Sequence, residues 1–155
     1  MALRLTTGAI DSLITTFAED FQNGVLAIYS GTQPASADDS ETGELLCLIT
    51  KDGGGFTAGS PDNGLNFTRT EQAGTVSKAE GEEWMGTAVA NGTAGWFRFY
   101  DNNYTTGASE TAKRFDGSIG TSTDAEMQIT NPALTKGGKI VIEAFPVTLP
   151  MTDGV

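Results

Sequence analysis

From Val25 onward the sequence never holds an apolar stretch for long: short apolar or alternating runs are cut repeatedly by Gly, Asn, Asp, Ser and Pro. Strands and turns read this way, because β-branched and aromatic residues suit a pleated surface while Gly and Asn accept the positive φ of tight turns. The pattern predicts strands over Val25 to Ser30, Glu44 to Thr50, Leu65 to Arg69, Thr75 to Lys78, Glu83 to Ala90, Gly95 to Tyr100, Arg114 to Ile119, Glu126 to Thr130 and Lys139 to Leu149. Short strands at this spacing pack as two sheets over a shared core, so the expected fold is mainly β, an antiparallel β-sandwich or jelly roll, with a barrel as the alternative.

Local signals refine that expectation. Asn91-Gly92 between two apolar runs is the sequence of a tight hairpin turn. In Trp96-Phe97-Arg98-Phe99-Tyr100 the period of two puts Phe97 and Phe99 on one face, expected to be core, and Trp96, Arg98 and Tyr100 on the other, more solvated one. Pro146 lacks an amide donor, so the last run should be an edge or break there.

One segment departs from the β pattern. Ile10, Leu13, Ile14 and Phe17 stand at i, i+3, i+4 and i+7, the spacing of one helix face. The helix is expected over about residues 8–20, capped by Thr6 or Thr7 and stopped at Asn23-Gly24. Its apolar face either lies on its own β core or docks a neighbouring subunit.

At 155 residues the chain suits one domain, with the β core over about 24–150. Twenty acidic against nine basic residues give a formal net charge of -11, which repels phosphate backbones and makes nucleic acid a poor partner. No run approaches the roughly 20 apolar residues that span a bilayer, so neither a membrane span nor a processed leader is expected.

Chemistry is constrained by what is missing. The sequence holds no histidine, which removes Ser-His-Asp and Cys-His nucleophilic sites and ordinary histidine metal centres. Cys47, the lone cysteine, sits in Leu45-Leu46-Cys47-Leu48-Ile49 and reads as a small hydrophobe of a strand. Glu80, Glu82 and Glu83 could in principle supply the two carboxylates of a glycosidase, but beside a turn they read as a solvated acidic loop. Asp38-Asp39-Ser40-Glu41 and Asp101-Asn102-Asn103 offer oxygen ligands without the EF-hand spacing, and Gly53-Gly54-Gly55 lacks the Lys-Ser/Thr of a phosphate-binding loop. Three Asn-x-Thr matches are expected by chance in so threonine-rich a chain. No catalytic residue, cofactor or metal is therefore assigned. The loops Gly31 to Gly43 and Asp101 to Lys113 are where such a fold would place a binding surface.

Met1 to Gly8, Asn23 to Asp38 and Gly92 to Tyr100 resemble small structural proteins encoded by tailed bacteriophages and prophages. The resemblance implies a virion protein made in the host bacterial cytoplasm, in the first place a capsid decoration or cement protein. Its partners would be the major capsid protein, other virion proteins and further copies of itself. A tail or fibre component, or a carbohydrate- or receptor-binding β module, is the alternative. The candidate interaction surface comprises Ile10, Leu13, Ile14 and Phe17 of the helix with Trp96, Tyr100 and Tyr104 of the aromatic strand and its following loop.

Overall fold

The computed structural model describes residues 3–149. Helix α1 (Thr7–Asp20) opens the fold, followed by β1 (Val25–Ser30), β2 (Leu45–Lys51), β3 (Phe67–Arg69), β4 (Thr75–Lys78), β5 (Trp84–Thr87) and β6 (Gly92–Tyr100). Then come β7 (Arg114–Gly120), β8 (Met127–Gln128), β9 (Ala133–Leu134), β10 (Lys139–Ile142) and β11 (Val147–Thr148). The larger sheet runs β10-β5-β2-β1-β6-β7-β8 with β9 also on β6, and the smaller runs β11-β4-β3. Pairing is antiparallel except for β7 with β8. The chain thus has the expected mainly β, sandwich-like fold with one N-terminal helix.

The larger sheet curls. Ile140 and Ile142 from one end share a core with Ile119 and Met127 from the other, with Phe97 and Phe99 from the middle between them. Phe67 and Val76 of the smaller sheet and Ile14 of the helix complete that core. Phe99 stacks on Phe115 at 5.3 Å between centroids and an interplanar angle of 6°, inside a cluster that also takes in Phe21, Phe67 and Phe145.

The helix belongs to its own domain. Thr6 accepts from Ala9 N at 3.2 Å as N-cap, and Asn23 takes a φ of 58° just beyond the C-terminus. Asp11 ties the first turns to the smaller sheet by accepting from Gly74 N at 3.1 Å and pairing with Arg69 at 2.8 Å. Ile10 and Ile14 are buried, and Phe17 lies 4.8 to 5.8 Å from the rings of Phe21, Phe115 and Phe67. The apolar helix face is occupied by the chain itself; Leu13, 53% exposed, is the member left outside.

Two local expectations need correction, and a third, the break at Pro146, holds. The Asn91-Gly92 hairpin does not form: β5 pairs with β2 and β10, β6 pairs with β1, β7 and β9, and neither residue takes a positive φ. The segment instead crosses to a strand not adjacent to β5, and Gly92 lies close against the Leu46 side chain, where a Cβ would fall 2.8 Å from Cδ2. Arg98, expected on a solvated face, has no exposure at all. The last run divides at Pro146: β10 ends as an edge of the larger sheet, Phe145 enters the core, and β11 joins the smaller sheet.

Candidate functional site

Strand β1 carries Val-Leu-Ala-Ile-Tyr with every residue buried, so both faces of the larger sheet are covered here. The inner face meets the main core. On the outer face Val25, Ala27, Tyr29, Trp96 and Tyr100 form a second apolar cluster. Its roof is made by the segments between β1 and β2 and between β6 and β7.

Register explains what stands at its centre. Arg98 lies opposite Ala27 on β1 and opposite Asp116 on β7, while Tyr100 lies opposite Arg114. A small residue on one side and a carboxylate on the other let a guanidinium lie within the sheet face. Arg98 donates through Nε and Nη2 to Asp116 Oδ2 at 3.1 and 2.7 Å, and through Nη1 to Asp39 O at 2.9 Å and Glu41 Oε1 at 3.2 Å. Its Cζ is 5.2 Å from the Trp96 ring centroid, and that ring stacks on Tyr29 at 4.5 Å.

Glu41 joins the two roof segments. Its Oε1 accepts from Tyr100 Oη at 2.7 Å and its Oε2 from Gly107 N at 2.8 Å. Tyr100 Oη also meets Tyr29 Oη at 2.7 Å. Arg114 stitches the same segments through their carbonyls, donating to Ala37 O at 2.7 Å, Thr105 O at 3.0 Å and Asp38 O at 3.1 Å. Trp96 Nε1 donates to Thr42 O at 3.2 Å, and Gln33 Nε2 to Asp116 Oδ1 at 3.0 Å. Gly95 admits the roof: a Cβ there would lie 1.9 Å from Gly31 O.

Ionisation follows from these contacts. Burial opposes the Glu41 carboxylate, but hydrogen bonds from Tyr100 and the Gly107 amide, with Arg98 nearby, hold it below its ordinary range. Burial likewise opposes the Arg98 cation, and Asp116 with its neighbours outweighs that and raises it. Burial pushes Tyr29 up to about 12, drives Tyr100 still higher with help from its bonds to Tyr29 and Glu41, and raises Tyr104. The hydroxyls stay neutral and the carboxylate stays charged, and Tyr29, Tyr100 and Glu41 are each engaged by another group of the chain. Among the described residues no buried side-chain nitrogen or oxygen lacks a partner.

Trp96 and Tyr100, read as candidate surface, are fully buried, because a loop rather than solvent covers the outer face. Tyr104 is half-buried, takes a φ of 52°, and packs edge-on against Tyr100 at 4.8 Å and Phe56 at 5.8 Å. Of the three loop glutamates, Glu80 and Glu83 are exposed. Glu82 is buried, contrary to the solvated reading, and accepts from Asn66 N at 3.0 Å, Asn66 Nδ2 at 2.8 Å and Trp84 Nε1 at 2.9 Å. Cys47 is buried, its thiol pushed up to about 12 by desolvation. Among the described residues no group of three or more His, Cys, Asp and Glu side chains is placed to hold a metal ion, and no helix is long and apolar enough to cross a membrane.

Sequence reasoning did not foresee Tyr29, Glu41, Arg114 or Asp116 as one network. The signal was present in β1, whose uninterrupted apolar run marks a strand covered on both sides and so requires the facing Trp-x-Arg-x-Tyr to be covered too. What this site defines is a loop-roofed, internally cross-braced β domain. No protein-family model, curated protein or solved structure matches the chain.

Proposed function

We propose that this chain is a bacteriophage virion structural protein, a capsid decoration or cement protein that binds the outside of the head and stabilises it. The observation that carries the reading is the arginine-braced roof. Charged and hydroxyl groups that could have served chemistry are engaged in pinning two long loops to one sheet face, which makes a stiff body suited to transmitting load between neighbours. The net charge of -11 suits a position outside a DNA-filled shell, and the phage-like runs described above supply the context. No turnover is expected of it. The test is addition of purified protein to undecorated capsids: binding at regular surface positions with a rise in capsid melting temperature is expected, and absence of binding overturns the proposal.

One observation favours a second reading, a receptor- or glycan-binding module of tail or fibre. The Phe56–Tyr104 pair is half-buried on the loop-bearing end of the domain, where an aromatic platform would meet a sugar ring. A glycan array distinguishes it: signal lost in Tyr104→Ala with unchanged melting supports this module, and an array without signal removes it.

A further inference from the structure

The curl of the larger sheet stops short of closure. Between its end strands β8 and β10 lies an open groove of about 960 Å³, with Phe97, Phe115, Met127 and Ile140 among its lining and Glu126 and Glu143 exposed on its rim. β10 pairs with β5 on one side and has no strand on the other among the described residues. Its burial alternates, with Val141 44% exposed, so backbone and apolar surface are both presented at that edge. Unpaired edges of this kind template the addition of another strand.

The same chain carries a segment with the complementary pattern. Leu3-Arg4-Leu5-Thr6 precedes the helix without regular structure, alternating apolar and polar, with Leu3 93% and Leu5 51% exposed. Leu3 at that exposure is not seated in its own groove. Arg4 adds charge complementarity: Asp116, Glu126 and Glu143 line the groove against Lys139 alone, and Asp116 is already held by Arg98. Two leucines on one side of an extended arm would face the apolar floor while Arg4 reached the carboxylate rim.

We propose that residues 3–6 of one copy add as a strand to the β10 edge of a second copy, in the groove between β8 and β10. Arm and groove are different surfaces, so the contact is head-to-tail and generates a ring or an open chain of subunits. A four-residue arm spans only about 13 Å, well short of a stable standard-size interface, so each contact is weak and gains force when copies are held side by side. The contact belongs to the purified protein with no capsid present, so its failure and failure of the virion reading are separable.

The test uses two single variants, Arg4→Cys and Val141→Cys, whose side chains share the outer face when Leu3 and Leu5 point inward, mixed under mild oxidation and mapped by mass spectrometry; native Cys47, fully buried, stays out of the exchange. A disulfide joining positions 4 and 141 of different chains, above the yield obtained with Arg4→Cys and Glu110→Cys, is expected. Sedimentation of the unmodified protein should show association that grows with concentration and is lost in Leu3→Asp/Leu5→Asp, both exposed positions that leave the fold intact. Three results overturn the proposal: a protein monomeric up to about 1 mM, association unchanged in the double aspartate variant, or a 4–141 link that forms within one chain on dilution of the double-cysteine protein.

Discussion

Tyr100 Oη donates to Glu41 Oε1 at 2.7 Å, joining the middle of the sheet to a loop 59 residues away in sequence. Because the same carboxylate accepts from the Gly107 amide and faces Arg98, Glu41 ties its own roof segment both to the other segment and to the sheet beneath.

Replacing Glu41 by Gln keeps an acceptor for Tyr100 but removes the charge, and should cost about 1–3 kcal/mol in denaturant unfolding. The Glu41 carboxyl is held below its unfolded value, so its contribution is present above that value and disappears as pH falls through the folded one. Wild-type stability should therefore decline from about pH 4.5 downward. Arg98, Arg114, Tyr29, Tyr100 and Tyr104 surround the group from β1, β6, β7 and the second loop, and none loses charge in that range. In Glu41→Gln the acid limb of the stability curve should be shallower. An unchanged limb would mean that carboxylates other than Glu41 govern it.

Arg98→Met removes the cation and leaves the Asp116 carboxylate, 7% exposed, without its main partner. Breaking a buried pair from one side costs about 3–5 kcal/mol, much of it the stranded charge. Adding Asp116→Leu should recover part of the loss, giving a double variant more stable than Arg98→Met alone. Thermal melts of the two variants decide this. If the double variant melts lower still, the bond from Gln33 to Asp116 matters more than the charge balance.

How much of this was legible in sequence differs by level. The helix was readable because Ile10, Ile14 and Phe17 repeat at helical spacing, and β1 and β4 because turn residues bound their apolar runs on both sides. That neither face of β6 meets solvent from Trp96 to Tyr100 was signalled only indirectly, through the unbroken apolar run of β1, since alternation tells faces apart but says nothing of a loop that covers the second one. The Asn91-Gly92 signal misled because a turn-forming pair is permissive, while strand order is decided by core packing far along the chain. Glu41 stands 57 residues from Arg98 and reaches it from the loop after β1, while the β6–β7 register sets Asp116 opposite Arg98 and Arg114 opposite Tyr100.

Gly95→Ala tests whether the roof must sit where it does. The added methyl carbon would lie 1.9 Å from the Gly31 carbonyl oxygen, and backbone cannot rotate away as a side-chain tip can. Either β1–β6 pairing or the start of the first roof segment must shift, with a loss of about 3 kcal/mol or more. Hydrogen exchange should show the amides of Ser30 and Glu44, bonded to Glu44 O and Ser30 Oγ, opening before those of the smaller sheet.

At alkaline pH the tyrosine pair should govern stability. Tyr29 ionises near 12 and Tyr100 still higher, chiefly because burial disfavours phenolate, whereas in the unfolded chain both titrate near the ordinary 10.0. The folded protein thus holds these protons after the unfolded chain has released them. Their contribution is complete below pH 10 and is lost as pH climbs from there toward 12 and beyond. Unfolding free energy should fall steeply across that window. Phenolate absorbance should rise in two stages, the more exposed Tyr104 before the Tyr29–Tyr100 pair, whose ionisation should coincide with loss of near-ultraviolet circular dichroism from the stacked Trp96. In Tyr100→Phe the hydroxyl pair and the bond to Glu41 are both gone, so Tyr29 should still resist ionisation through burial alone while the acid limb of the stability curve flattens as in Glu41→Gln.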